Sequence, residues 1–294
     1  MKILSNYKIG ALYAIMSGFC YSLLGYFGIT IIQAGSSVYN MLFWRFLVSA
    51  LFALILLIPK YPIILQSPRI SLKVLLSGMV FYGSSSIVFF LSSLYIGTGL
   101  AMVIFFIYPA IVMIINITFY HAKFSKIYFL AFLIILIGLV LLVDIQDCRL
   151  DILGVVLGVA TAMFYACYMV ASEKISIHPI LSTAMVSIGS ATISFIASLV
   201  DSSFHVPSGL NNWFNIIGIG LLCTAIPILL LLKALQYIDA EKAATLSVLE
   251  PVFVLIFGII LLDEKVTFIQ IMGTIIVLSG ALMVLFHTTQ KTKY

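Results

Sequence analysis

Long apolar runs, each closed by a short polar or small-residue connector, follow one another along the whole chain. A helix crossing about 30 Å of hydrocarbon needs about 20 apolar residues. Ten segments meet that length approximately: 8–32, 38–59, 72–95, 99–120, 126–143, 152–172, 180–200, 213–236, 242–262 and 267–287. The runs are continuous, not alternating, and about twice as long as a tilted barrel strand requires. The pattern therefore predicts an all-α integral membrane protein with ten transmembrane helices. Gln33-Ala34-Gly35-Ser36-Ser37, Ile96-Gly97-Thr98 and the Asp201–Asn212 stretch with Pro207 and Gly209 carry the punctuation of tight links. The run from Ile9 to Ile32 is too long for the apolar core of a signal peptide and is expected to remain as the first span.

Composition agrees. Apolar residues make up 63% of the chain and charged ones 9%, against about 45–50% and about 25% in soluble proteins. No stretch is polar enough for a soluble domain. Ten spans put both termini on one side. If that side is cytoplasmic, twelve basic residues lie inside or at its edge: Lys2, Lys8, Lys60, Arg69, Lys73, Lys123, Lys126, Lys174, Lys233, Lys242, Lys291 and Lys293. Arg149 and Lys265 then fall outside, and Arg45 lies within a span. The positive-inside rule thus places both termini in the cytoplasm and the Asp144–Asp151 and Asp201–Asn212 connectors outside. The expected location is a bacterial inner (plasma) membrane. The net charge of +5 is spread, never clustered, so it points to orientation and not to a nucleic-acid partner. Cys20, Cys167 and Cys223 lie in apolar runs and Cys148 in a connector, with no CxxC and no ligand spacing; neither metal, cofactor nor disulfide is expected.

The chain matches itself weakly. Gly10, Ala14 and Gly18 recur as Gly154, Gly158 and Ala162 at an offset of 144, which also sets Ser17 over Thr161 and Tyr21 over Tyr165. An offset of 142 sets Tyr95 over Tyr237, Ala101 over Ala243, Pro109 over Pro251, Lys123 over Lys265 and Gly138 over Gly280. Small residues four apart share one helix face, where backbones approach closely. The two halves, 1–146 and 147–294, then hold five spans each. An odd number inverts the second half, and inverted repeats place a transport site at their interface near mid-bilayer.

At these residues the chain resembles the drug/metabolite transporter superfamily, in its EamA-type form of two five-helix repeats. The closest pieces are Ala243-Ala244-Thr245-Leu246-Ser247-Val248-Leu249-Glu250-Pro251-Val252, then Asp263-Glu264-Lys265-Val266-Thr267 with Gln270 and Gly273, Gly280, and Trp44-Arg45-Phe46 in the second span. His121-Ala122-Lys123 departs from the acidic residue usual after the fourth helix. The resemblance implies a ten-helix bundle with a central cavity built by both repeats. It names no substrate: amino acids, nucleotide-linked compounds, sugar phosphates and drugs all occur as cargo.

Glu250 and Arg45 are the charged residues deep within spans. Such a charge costs about 2.5–3.5 kcal/mol at a helix centre and must face protein or water. The alternatives are a transport role, a gate-like pair, or a fixed packing ion pair. Pro109 and Pro251 fall near mid-bilayer and are expected to break their helices, releasing the carbonyls of Phe105 and Ser247. Tyr21, Tyr82, Tyr108, Tyr165 and Trp44 are candidate cavity-lining aromatics, each joining a stacking surface to a hydrogen-bonding tip. Tyr61, Tyr128 and Tyr237 are read as interface anchors, and Lys233 and Lys242 as snorkelling to headgroups.

A secondary active transporter moving a small metabolite, an amino acid or related compound or a drug, by alternating access fits these features, with export one direction it allows. A membrane-embedded enzyme would need paired carboxylates, HExxH, a Cys/His set or a serine with a base, and an ATP-driven pump a GxxxxGK[ST]; none occurs, and all four histidines lie at span ends or in connectors. A channel would call for charged rings or a filter. Expected partners are the solute, the lipid bilayer and, as an option, a second copy in a homodimer.

Overall fold

A computed structural model describes residues 2–60, 67–142, 151–175, 177–262 and 266–287. Cys148, Arg149, Tyr61, Lys291, Lys293 and the Asp263-Glu264-Lys265 segment lie outside the described residues. Ten helical spans appear, and no strand occurs among the described residues. We number them α1 (Lys2–Tyr21, continued as Leu24–Gln33), α2 (Val38–Leu57), α3 (Pro68–Ile96), α4 (Thr98–Tyr120), α5 (Lys126–Leu142), α6 (Ile152–Lys174), α7 (Pro179–Val200), α8 (Leu210–Tyr237), α9 (Ala240–Ser247, continued as Glu250–Leu262) and α10 (Phe268–Phe286). Nine are long and apolar enough to cross a membrane, and α5 is a shorter apolar helix of 17 residues. Their apolar flanks, such as Leu12, Ile55, Ile137, Ile260 and Ile275, are exposed, as helices facing lipid require.

The helices pack in a pseudo-two-fold pattern. α1 lies on α8 as α6 lies on α3; α1 meets α9 as α6 meets α4; α2 pairs with α7, and α5 with α10 at the periphery. Glycines set these distances in matching pairs. A Cβ at Gly10 would stand 2.8 Å from Tyr237 Cβ, and one at Gly154 would stand 2.7 Å from Tyr95 Cβ. Gly138 likewise meets Val277 and the Gly273 carbonyl, while Gly280 meets Ile135 and the Ala131 carbonyl. Close backbone approach of this kind is what holds membrane helices together where no hydrophobic driving force separates protein from lipid.

Helix irregularities repeat too. A π-turn at Gly78–Gly83 in α3 has its counterpart at Leu221–Ala225 in α8. α4 breaks after Phe105 and resumes at Tyr108 with Pro109 in its first turn; α9 breaks after Ser247 and resumes at Glu250 with Pro251 there. Proline removes a backbone donor and crowds the preceding turn, which accounts for both breaks. α1 breaks at Ser22 and Leu23.

Candidate functional site

Four of the five irregular points, all but the π-turn of α8, converge on one cavity of about 650 Å³. Tyr21 ends the first piece of α1, Tyr82 sits in the π-turn of α3, Tyr108 opens the second piece of α4, Ser247 closes the first piece of α9, and Glu250 and Pro251 open its second. Arg45 from α2 and Tyr165 from α6 complete the wall, which is otherwise apolar with scattered hydroxyls such as Ser85, Ser86 and Thr161. Helix breaks put side chains and backbone groups where a straight helix would present only its flank. Broken backbone at this depth is tolerated because it faces a cavity and not lipid.

The aromatic wall is interlocked. The Tyr21 and Tyr82 hydroxyls are hydrogen-bonded at 2.9 Å. Tyr165 meets Tyr108 edge-on with ring centroids 4.8 Å apart, and Phe105 lies 5.1 Å from Tyr108 and 5.2 Å from Tyr165. Tyr168, one turn from Tyr165, stacks at a tilt on Tyr82 with centroids 4.9 Å apart. The Tyr108 hydroxyl donates to the Ala244 carbonyl at 3.1 Å, which ties α4 to the first piece of α9. Ser247, also in the cavity wall, donates its hydroxyl to the Ala243 carbonyl at 2.9 Å.

The two charges share this space without a direct ion pair between them. Arg45 is buried, with its guanidinium carbon 4.7 Å from the centre of the Phe46 ring. It lies beside the Tyr82 hydroxyl and lines the same cavity as Glu250. Glu250 is half-buried and starts a helix, where the positive end of the helix dipole meets its carboxyl group. The sequence-based option of a direct gate-like pair is not what the structure has; both groups point at a common cavity.

Trp44 is a correction. It is not among the cavity residues: its ring packs against Phe43, Phe204 and Trp213, and its Nε1 donates to the His205 carbonyl at 3.0 Å. Successive residues of a helix face directions about 100° apart, so Trp44 and Arg45 cannot share a face. Two further expectations change. Lys242 does not snorkel: it is 2% exposed and pairs with Asp239 at 3.1 Å, between the rings of Tyr7 and Tyr128. Tyr128 is buried and donates to the His287 carbonyl at 3.3 Å, so it is no interface anchor. Pro109 breaks α4 as expected but lies behind the cavity wall. Phe105, expected only to free its carbonyl, and Gln270, named only as part of the family resemblance, both line the cavity. Tyr168, outside the lining, backs Tyr82 from three positions after Tyr165, the spacing of a shared helix face.

The cavity opens on one side. Ile32, Val38, Thr98, Leu142 and Gln270, at the helix ends away from the chain termini, line its mouth. On the terminal side the first piece of α9 is packed shut, with Ala243, Ala244 and Leu246 fully buried. Polar contacts to neighbouring helices latch it: Asn116 of α4 donates to Glu241 at 3.3 Å, and Lys242, paired with Asp239 within α9, lies between the Tyr7 ring of α1 and the Tyr128 ring of α5, while Tyr7 ties α1 to α10 by donating to the Val284 carbonyl at 2.8 Å.

Two inverted sets of helices enclosing one cavity at their interface, open to one face, are the geometry that a family assignment has to explain. The EamA-like transporter family model matches residues 8–144 and again residues 152–286. The chain belongs to the EamA-like transporter family. It is therefore a multi-pass integral membrane protein of two-repeat architecture. An uncharacterized transporter of Archaeoglobus fulgidus is 23% identical to it over 131 residues, 44% of this chain and 47% of that protein. The chain thus aligns with about half the length of that relative. A solved structure titled only as the crystal structure of a protein superposes with a TM-score of 0.81 at 13% identity, over 93% of this chain and 95% of the other. At that identity the likeness speaks for the fold alone.

Proposed function

We propose that this EamA-like protein is a secondary active transporter that carries a small metabolite, an amino acid or related compound or a drug, by alternating access. The observation that carries the reading is the cavity: residues of both repeats line it, it opens to one face, and the opposite face is packed shut by the first piece of α9. In an inverted pair, exchanging the shapes of the two halves closes the open face and opens the closed one. The halves 1–146 and 147–294 are the proposed moving units, hinged at the paired breaks beside Pro109 and Pro251. Glu250 is the functional carboxylate, at the depth and the interface where a binding charge belongs. The twelve-to-two excess of basic residues argues for cytoplasmic termini in a bacterial inner membrane, so that the state seen here opens outward. The test is flux into proteoliposomes holding a metabolite mixture, read by mass spectrometry. A carrier gives saturable uptake of particular solutes; linear flux points to a channel, and no flux with chemical conversion points to an enzyme.

A further inference from the structure

The kind of solute can be read from the two charges, given the transport reading above. Arg45 is 3% exposed, yet its Nε has no hydrogen-bond partner. A buried guanidinium with an open donor is an unfavourable arrangement unless a ligand or water fills it. Glu250 does not fill it, since the two form no ion pair across the cavity they share.

Nor does the fold need an arginine there. The Arg45 carbonyl faces Gly220 of α8 as the Val186 carbonyl faces Gly78 of α3, which makes Val186 the counterpart of Arg45 in the other repeat. Val186 is 1% exposed and packs without any charge. The counterpart of Glu250, 142 positions earlier, is Tyr108, whose hydroxyl is satisfied by the Ala244 carbonyl. Both charges are therefore additions to a scaffold that closes without them. Both additions point into the same space.

We propose that Arg45 is the anion-binding residue of the cavity and that the solute is a small zwitterion, its carboxylate on Arg45 and its ammonium on Glu250. A planar guanidinium matches a carboxylate in a forked pair, more directionally than an ammonium would. The rings of Tyr82, Tyr108 and Tyr165 line the same cavity and supply the apolar surface for the solute's carbon skeleton. At about 650 Å³ the cavity is of ordinary size for a small ligand and its water.

The test is thermal unfolding of the purified full chain with each of the twenty standard amino acids. Any that stabilises it is repeated as the amine lacking the carboxylate and as the acid lacking the ammonium. At least one amino acid raises Tm, and both truncated analogues bind at least tenfold more weakly. Arg45→Gln loses the amino acid by at least tenfold while binding the amine as the wild type does; Arg45→Lys recovers part of the loss. Should the glutamine variant not fold, Arg45→Val, which copies Val186, replaces it. The proposal is overturned if no amino acid stabilises the protein, or if the Arg45 variants bind the amino acid as tightly as the wild type. Saturable proteoliposome flux of a solute without a carboxylate, unchanged in Arg45→Gln, would sink the zwitterion and leave the transporter standing. Absence of saturable flux for any solute would remove both.

Discussion

The two repeats use one scaffold for different ends. Their helices pair alike, their glycines meet matching neighbours, and their breaks fall at matching places. The second repeat has Glu250 where the first has Tyr108, and the first has Arg45 where the second has Val186. The first piece of α4 lines an open cavity mouth with Thr98, Gly99 and Leu100, whereas the first piece of α9 is buried and latched through Lys242 and Glu241. Symmetry supplies the cavity and the hinges; its violations supply the chemistry and the choice of resting state.

The largest effect is expected where symmetry fails chemically. Glu250→Gln should lower saturable flux at least a hundredfold, whereas Tyr108→Phe at the matching position, which loses only a hydrogen bond worth about 0.5–1.5 kcal/mol, should lower it no more than about tenfold. Flux in proteoliposomes at equal reconstitution measures both. Equal losses would erase the proposed division of labour.

Next come the paired glycines. A Cβ at Gly78 would stand within 3 Å of three Val186 backbone atoms, the nearest at 2.5 Å, but one at Gly220 would meet Val48 Cβ and Cγ1 at 2.6 Å, of which the Cγ1 can turn aside, and no backbone atom nearer than 3.1 Å. Gly78→Ala should therefore cost more than Gly220→Ala, with overpacking of about 1–3 kcal/mol at the first. Thermal unfolding in detergent compares the two, and a larger loss for Gly220→Ala would contradict the packing described.

The latch should show a smaller, directional effect. Lys242→Met takes the ammonium from between the Tyr7 and Tyr128 rings of α1 and α5, together with its Asp239 pair. A shift of about 1–2 kcal/mol is a factor of roughly 5–30 in the balance between the two open states. Labelling of a cysteine placed at Met102, in the cavity wall, should fall accordingly. The smallest effect is expected from Trp44→Phe, which releases the His205 carbonyl and loosens the Asp201–Asn212 connector but leaves the cavity wall intact. Flux should stay within about twofold of wild type if that hydrogen bond is worth about 0.5 kcal/mol to it.

Much of this was legible in the sequence because a lipid-spanning helix must be long, apolar and closed by polar links. All ten spans fall within a few residues of where hydropathy puts them, and the breaks at Pro109 and Pro251 follow from proline chemistry. The cavity tyrosines were legible because a hydroxylated ring deep in a span needs a partner. The π-turns were not, since Gly78–Gly83 and Leu221–Ala225 share no breaker residue at a common position. Lys242 misled because a lysine near a span end reads as a headgroup anchor until the folding of α9 against α1 and α5 buries it with Asp239. Trp44 misled by adjacency to Arg45, where a helix turns neighbours apart.

The central claim is that the halves exchange shapes around one site, and the matched pair Met102 and Ala244 tests it most directly. Single cysteines at these two positions, in a background lacking Cys20, Cys148, Cys167 and Cys223, probe the same place in each repeat. Without solute, the cysteine at 102 should react with an impermeant maleimide from the side away from the termini, and the one at 244, fully buried here, should not react. During saturating flux of the solute identified in proteoliposomes, the cysteine at 244 should become reactive from the terminal side while that at 102 slows. A cysteine at 244 that stays unreactive while flux remains saturable would contradict the account.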